Sequence, residues 1–196
     1  MFTGIVQDLG TLRHTLRDEA EFVIAAPIRE RLFIGASVAV NGACLTVRRL
    51  NNDSFVATVS DETRRKTSLG SLRTGARVNL ELPLTPQTGL DGHMVLGHVD
   101  CVGHVAALVR ERTGWTLHVS YPGEFAWYVA EKGSVAVDGI SLTPFAVQPG
   151  SFRCAIVPET YENTTLRDRR SGDPVNLEFD VLAKYVERMM RDVHLD

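Results

Sequence analysis

One feature limits what this chain can fold into more than any other: an internal duplication at an offset of about 97 residues. Ser37-Val38-Ala39-Val40-Asn41-Gly42-Ala43-Cys44-Leu45-Thr46 returns as Ser134-Val135-Ala136-Val137-Asp138-Gly139-Ile140-Ser141-Leu142-Thr143, identical at 7 of 10 positions. Ser54 to Glu81 returns as Ser151 to Glu178 with 12 identities in 28, among them Val78-Asn79-Leu80-Glu81 against Val175-Asn176-Leu177-Glu178. The opening Gly4-Ile5-Val6, followed by Gly10, is echoed by Gly97-His98-Val99, followed by Gly103. Such a period is too long for a solenoid unit, so each copy is a small domain with its own core, and two related domains imply two related pockets. The expected division is 1–88 and 89–180, joined near Leu84–Gly92, with 181–196 as a C-terminal oligomerisation helix and tail.

Within each copy the pattern is short and alternating. Ser37–Val40, Cys44–Leu50, Ser54–Val59 and Arg77–Leu82 read as strands, as do Ser134–Val137, Ser151–Val157 and Pro174–Phe179. Asn41-Gly42 and Asp138-Gly139 lie between apolar runs, the pairing a two-residue hairpin turn with positive φ prefers. Helical signal is confined to short pieces, Ile28–Phe33, Asp61–Leu72, Glu124–Glu131 and Glu159–Leu166, and to one stronger helix from Val181 to about Asp192. The expected fold is mainly β: two similar six-stranded Greek-key barrels plus a C-terminal helix. In that helix Val181, Leu182, Tyr185, Val186 and Met189 form an apolar stripe without a counterpart in the first copy. It must bury itself against its own domain or against another copy of the chain.

Composition removes several function classes. A formal charge of −3 with both signs interspersed offers no footprint for nucleic acid. The basic runs Arg64-Arg65-Lys66 and Arg167-Asp168-Arg169-Arg170 read first as solvated faces. No apolar run is long enough to span a membrane, and the opening residues do not resemble a secretion signal. Three cysteines, Cys44, Cys101 and Cys154, without a C-x-x-C spacing, fit reduced thiols in a cytoplasmic chain. The histidines His14, His93, His98, His104, His118 and His194 are scattered without the partners a zinc site needs, and neither a P-loop nor G-x-G-x-x-G occurs. No cofactor is expected.

The chemistry is then sought where the copies agree in frame and differ in residue: Cys44 against Ser141, Asn41 against Asp138, Ile5 against His98, Asp61 against Pro158. Taken singly, Cys44 reads as a small buried strand residue, Ser141 and Thr143 as strand hydroxyls bonded within the sheet, and His98 as a surface histidine. Taken together, with Thr46, Thr63 and Thr160 nearby in pattern, they suit a site that holds a flat heterocycle through its amide-like edge.

Met1-Phe2-Thr3-Gly4-Ile5-Val6, Asn41 to Val47, Glu62-Thr63 with Thr67 and Leu69-Gly70, Gly92-His93-Met94-Val95-Leu96-Gly97-His98-Val99-Asp100 and Asp138 to Thr143 together resemble riboflavin synthase of the alpha-chain type, across essentially the whole chain. The resemblance implies two barrels that each bind 6,7-dimethyl-8-ribityllumazine, a homotrimer assembled through the C-terminal helix, and a dismutation of two lumazines to riboflavin and a pyrimidinedione. On that resemblance the first site uses Cys44, Leu45, Thr46, Thr58, Val59, Ser60, Asp61, Glu62, Thr63, Gly97, His98, Val99 and Lys132. The second uses Gly4, Ile5, Val6, Ser141, Leu142, Thr143, Ile156, Val157, Pro158, Glu159, Thr160 and Tyr161. The roles it suggests are proton transfer for His98, a base or nucleophile network for Ser141 and Thr143, pocket formation for Cys44, and orientation of polar groups for Asp180. It leaves open whether the chain associates with lumazine synthase, the enzyme of the preceding step.

The chain departs from the family pattern at Leu96, Asp91 and Pro144. Proline has no N–H for a sheet ladder, so the strand after Thr143 must be interrupted or lie at an edge. The main rival reading is a non-catalytic lumazine- or flavin-binding relative of the same fold. A flavin-binding barrel of an oxidoreductase is a third, which would need a nucleotide-binding domain.

Overall fold

The computed structural model describes residues 1–16, 19–23 and 26–193, so His194 lies outside the described residues. Strands β1 (Asp8–Leu16), β2 (Glu19–Val23), β3 (Ser37–Val40), β4 (Ala43–Leu50), β5 (Ser54–Thr58) and β6 (Arg77–Glu81) close into an antiparallel barrel in the order β1-β2-β5-β4-β3-β6. Alternation along β4 is clean: Ala43, Leu45 and Val47 enter the core, while Cys44 and Thr46 stand on the outer face. Cys44 and Thr46 therefore sit on the outside of the barrel wall.

The second copy contributes β7 (Cys101–Glu111), β8 (Gly114–Ser120), β9 (Val135–Val137), β10 (Ile140–Leu142), β11 (Pro144–Gln148), β12 (Ser151–Ile156) and β13 (Pro174–Phe179). Its order, β10-β9-β13-β7-β8-β12-β11, repeats the first with one strand cut in two. The cut keeps the expected six strand positions, one of them shared by the short β10 and β11, and falls where the sequence placed an interruption. In the first barrel Val47 N–H donates to Ala36 O at 2.9 Å. The matching residue, Pro144, has no N–H to give, while its carbonyl accepts from Lys132 N–H at 2.9 Å as Val47 O accepts from Gly35 N–H at 2.8 Å.

Both hairpin turns form as expected, with Asn41, Gly42, Asp138 and Gly139 all at positive φ. They face each other so closely that a Cβ on Gly42 would lie 2.7 Å from Gly139 N. Around them runs a buried two-fold network. Asn79 N–H donates to Asn41 Oδ1 (2.7 Å), and the Asn79 amide donates to Asp138 O (2.9 Å) and accepts from Thr165 N–H (2.8 Å). Asn176 does the same in reverse with Asp138 Oδ1, Asn41 O and Ser68 N–H. The repeated V-N-L-E thus carries the junction between the copies. One difference breaks the symmetry: Asp138 also pairs with Arg169 at 2.5 Å, whereas the first copy has Leu72 in that place.

Helices are short, as expected, with different bounds. Beside α1 (Ala26–Arg31) and α2 (Asp61–Lys66), the second copy has α3 (Pro158–Asn163). Neither α2 nor α3 continues as one piece: Thr67 and Thr164 adopt extended φ and ψ and their hydroxyls cap separate 3-10 turns at Ser68–Ser71 and Thr165–Asp168. Glu124–Glu131 is a 3-10 turn over Gly123–Tyr128, entered from Pro122 without a side-chain cap. The last element, α4 (Val181–Val193), turns its polar side inward: Lys184 pairs with Asp100 at 2.6 Å and Tyr128 bonds Glu187. Its apolar stripe, Leu182, Tyr185, Val186, Met189 and Met190, faces outward, with Met189 68% exposed and Trp127 beside the helix 85% exposed. Its own unit does not bury it. No helix among the described residues is long and apolar enough to cross a membrane.

Candidate functional site

A pocket of about 340 Å³ lies on the outer wall of the first barrel, lined by Ala43, Cys44, Glu62, Thr63, Lys66, Thr67, Gly97, His98, Val99 and Asp100, within the size range of a small-molecule site. Six of the expected first-site residues meet there, drawn from β4, α2 and the segment leading into β7. The approach of that segment depends on glycine: Cys44 N–H donates to Gly97 O at 2.8 Å, and a Cβ on Gly97 would lie 2.5 Å from Cys44 Cβ. Glu178 fixes the same stretch, accepting Leu96 N–H (2.6 Å) on Oε1 and Gly97 and His98 N–H (2.9 Å each) on Oε2. Burial pushes the Glu178 carboxyl up, against these N–H groups and Lys184, which draw it down.

The remaining first-site residues take supporting places. Thr46 and Thr58 pair across β4 and β5 on the flank, Leu45 and Val59 fill the core, and Ser60 caps α2 by accepting Thr63 N–H at 3.1 Å ahead of Asp61. Lys132 is not part of this lining within the chain; it lies on the second copy with Nζ over the Phe145 ring.

The second site repeats the frame with other side chains. Ser141 N–H donates to Gly4 O at 2.8 Å, and a Cβ on Gly4 would meet Ser141 Cβ at 2.6 Å. Glu81 holds this segment as Glu178 holds the other, accepting Thr3 N–H, Thr3 Oγ1–H and Gly4 N–H at 2.6, 2.7 and 3.0 Å. Ile5 is exposed and Val6 packs on the second core, while Leu142 and Ile156 belong to that core. Ser141 and Thr143 alternate with Leu142 onto the outer face. Val157, Pro158, Glu159 and Thr160 turn into α3, and Tyr161 stacks on Trp115 at 3.7 Å.

His93 joins this site although, of the histidines, the differences between the copies single out His98 alone. Its Nδ1 lies 2.7 Å from Ser141 Oγ, it is 7% exposed, and its Nε2 is buried with no partner among the described residues. Burial lowers its pKa, with the Asp180 charge opposing, so the ring is neutral near pH 7 and Nδ1 can accept the serine proton. Its place in the Gly-His repeat was the available signal. Asp180 itself caps α4, accepting Leu182 N–H at 2.9 Å. A larger, mostly apolar groove of about 780 Å³ runs between α4 and the 3-10 turn at Trp127 and Tyr128. Of the candidate site residues it includes only Asp180.

The two copies match the lumazine binding domain model at residues 3–83 and 96–180. Riboflavin synthase of Mycobacterium bovis is 45% identical over 97% of this chain and 98% of its own length. The chain belongs to the riboflavin synthase family. Riboflavin synthases of Photobacterium phosphoreum and Saccharomyces cerevisiae are 39% and 34% identical, again over 97% of this chain and over 89% and 86% of their own lengths. The crystal structure of LumP complexed with 6,7-dimethyl-8-(1'-D-ribityl) lumazine superposes with a TM-score of 0.83 at 21% identity, covering 91% of this chain and 99% of LumP, which shows the shared fold. Family membership makes the chain an enzyme of the transferase class.

Proposed function

We propose that the chain catalyses the riboflavin synthase dismutation: one 6,7-dimethyl-8-ribityllumazine donates a four-carbon unit to a second, giving riboflavin and 5-amino-6-ribitylamino-pyrimidinedione. The observation that carries this reading is the pair of sites built on one frame with unlike groups, Cys44 with His98 in one and Ser141 with His93 in the other. The reaction needs no external oxidant, since the atoms of two lumazines equal those of the two products. It does need both rings aligned. Held face to face they react as one unit, for which effective molarities of roughly 10⁵–10⁸ M are attainable.

In this reading His98 moves a proton at the 7-methyl group of the ring in the first site. Ser141, its proton accepted by His93 and with Thr143 beside it, adds at C7 of the other ring or directs a water there. Cys44 shapes the first pocket, and Asp180 orients the ribityl chain near the start of α4. The apolar outer stripe of α4 and exposed Trp127 support a homotrimer in which the first site of one copy meets the second site of its neighbour. The cytoplasm is the proposed compartment.

Incubation of the purified protein with the lumazine alone tests the reading: riboflavin and pyrimidinedione form in equal amounts, whereas a non-catalytic binding protein retains the ligand unchanged. Ser141→Ala, Cys44→Ala and His98→Gln are each expected to slow turnover, Ser141→Ala and His98→Gln by roughly 10²-fold or more. Full turnover in all three would overturn the assigned roles. Met189→Glu is expected to shift the mass in sedimentation from trimer to monomer.

A further inference from the structure

The repeat supplies an internal control for Asp100. Its equivalent is Gln7, and both residues do the same work in the scaffold. Gln7 N–H donates to Leu80 O (2.9 Å) and Gln7 Oε1 accepts Leu82 N–H (3.2 Å). Asp100 N–H donates to Leu177 O (2.8 Å) and Asp100 Oδ2 accepts Phe179 N–H (2.9 Å). A neutral acceptor therefore suffices to hold the backbone, and the charge at Asp100 has another use.

Two facts indicate that use. Asp100 lines the first pocket beside His98. Its Oδ2 also meets Lys184 Nζ at 2.6 Å, with the two side chains only 19% and 28% exposed, and Lys184 comes from α4, the one element without a counterpart in the first copy. Both bonds fall on Oδ2; among the described residues no donor reaches Oδ1, which keeps its capacity to accept a hydroxyl. The same lysine neighbours Glu178, the carboxylate that pins residues 96–98. Residues 97–100, one wall of the pocket, are thus anchored at one end by Glu178 and at the other through Asp100 to α4. Since α4 is joined to its own unit through Lys184 and Glu187 and turns its apolar side away, its position is also set by whatever covers that side.

We propose that Asp100 and Lys184 form a positioning pair that ties the docked state of α4 to the first pocket: Asp100 takes a hydroxyl of the ligand's polyol chain, and Lys184 holds Asp100 in place. This rests on the reading that the pocket takes a ribityl-bearing ligand. It adds a specificity determinant and a physical link between assembly and binding.

The test uses the full chain with Lys184→Arg and the double variant Asp100→Gln/Lys184→Met, which installs the neutral arrangement of Gln7. The double variant should melt close to the parent. In riboflavin titrations followed by fluorescence, one of its two binding steps should weaken by roughly ten- to a hundredfold while the other holds, as expected for loss of a hydrogen bond to a charged group. KM for the lumazine should rise more than kcat falls, and Lys184→Arg should retain most of the affinity. Lumiflavin, the same ring without the hydroxylated chain, should bind parent and double variant alike. Riboflavin binding unchanged in both steps, or lumiflavin weakened as much as riboflavin, overturns the proposal. A parent protein that fails to turn over lumazine would sink the proposed reaction, and the titration would still decide the role of the pair.

Discussion

Replacing Asp138 by Asn tests how the junction between the copies is held. Asp138 is fully buried and Arg169 is 14% exposed, so the pair has little solvent to fall back on. Burial pushes the Asp138 carboxyl up, while the Arg169 guanidinium and Asn176 N–H draw it down, and the guanidinium stands 2.5 Å from Asp138 Oδ2. Asn at 138 can still accept Asn176 N–H, as Asn41 does for Asn79, so the substitution chiefly strips Arg169 of its partner. Breaking a buried pair on one side costs about 3–5 kcal/mol, which for a chain of this size lowers Tm by roughly 6–20 °C. Asp138→Asn/Arg169→Leu then copies the Asn41 and Leu72 of the first copy and should recover most of the loss, because a matched apolar replacement of a buried pair is close to neutral. Equilibrium urea unfolding of parent, single and double variants reads all three values. A single variant within about 1 kcal/mol of the parent, or a double no better than the single, refutes the reasoning.

His93 has a folded pKa below its ordinary 6.5, so between that depressed value and 6.5 the unfolded chain binds a proton the folded chain does not. Stability should therefore fall as pH drops through this window, and a His93→Gln variant should show a flatter Tm profile between pH 5 and 8; parallel profiles would contradict it. Gly139→Ala places a Cβ 2.7–2.9 Å from backbone atoms of Gly42 at φ +76, and should cost about 2–4 kcal/mol in chemical unfolding. Glu178→Gln leaves one oxygen where three N–H groups need two; it should lose about 2–3 kcal/mol of stability and weaken ligand binding at the first pocket, measured by titration.

Much of this architecture was legible because it is local. Alternating strands, Asn-Gly and Asp-Gly turns, and the missing N–H of Pro144 act on near neighbours, and each appeared at or within a residue or two of its expected place. The outward stripe of α4 was visible as periodicity. The choice between its two ways of being buried was not, because that depends on Lys184 and Glu187 finding Asp100 and Tyr128 far away in sequence. The site was half legible for a similar reason. Cys44, His98 and Ser141 stood out where the copies differ, but the contact of His93 with Ser141 spans 48 residues, and the anchoring by Glu81 and Glu178 spans about 80. Repetition of a buried glutamate in V-N-L-E was the clue to that anchoring. Lys132 stands apart from the first pocket's lining within the chain, on the second copy with Nζ over the Phe145 ring.

The opening strands cross: residues ahead of the first barrel lie against Ser141, and residues ahead of the second lie against Cys44. Each half is therefore hostage to the other for a wall of its own cavity. Cutting the chain between them would yield two fragments that are each incomplete on their ligand side, able to regain a finished site only by exchanging arms with a partner. Damage to one end of the molecule should be felt first at the far site.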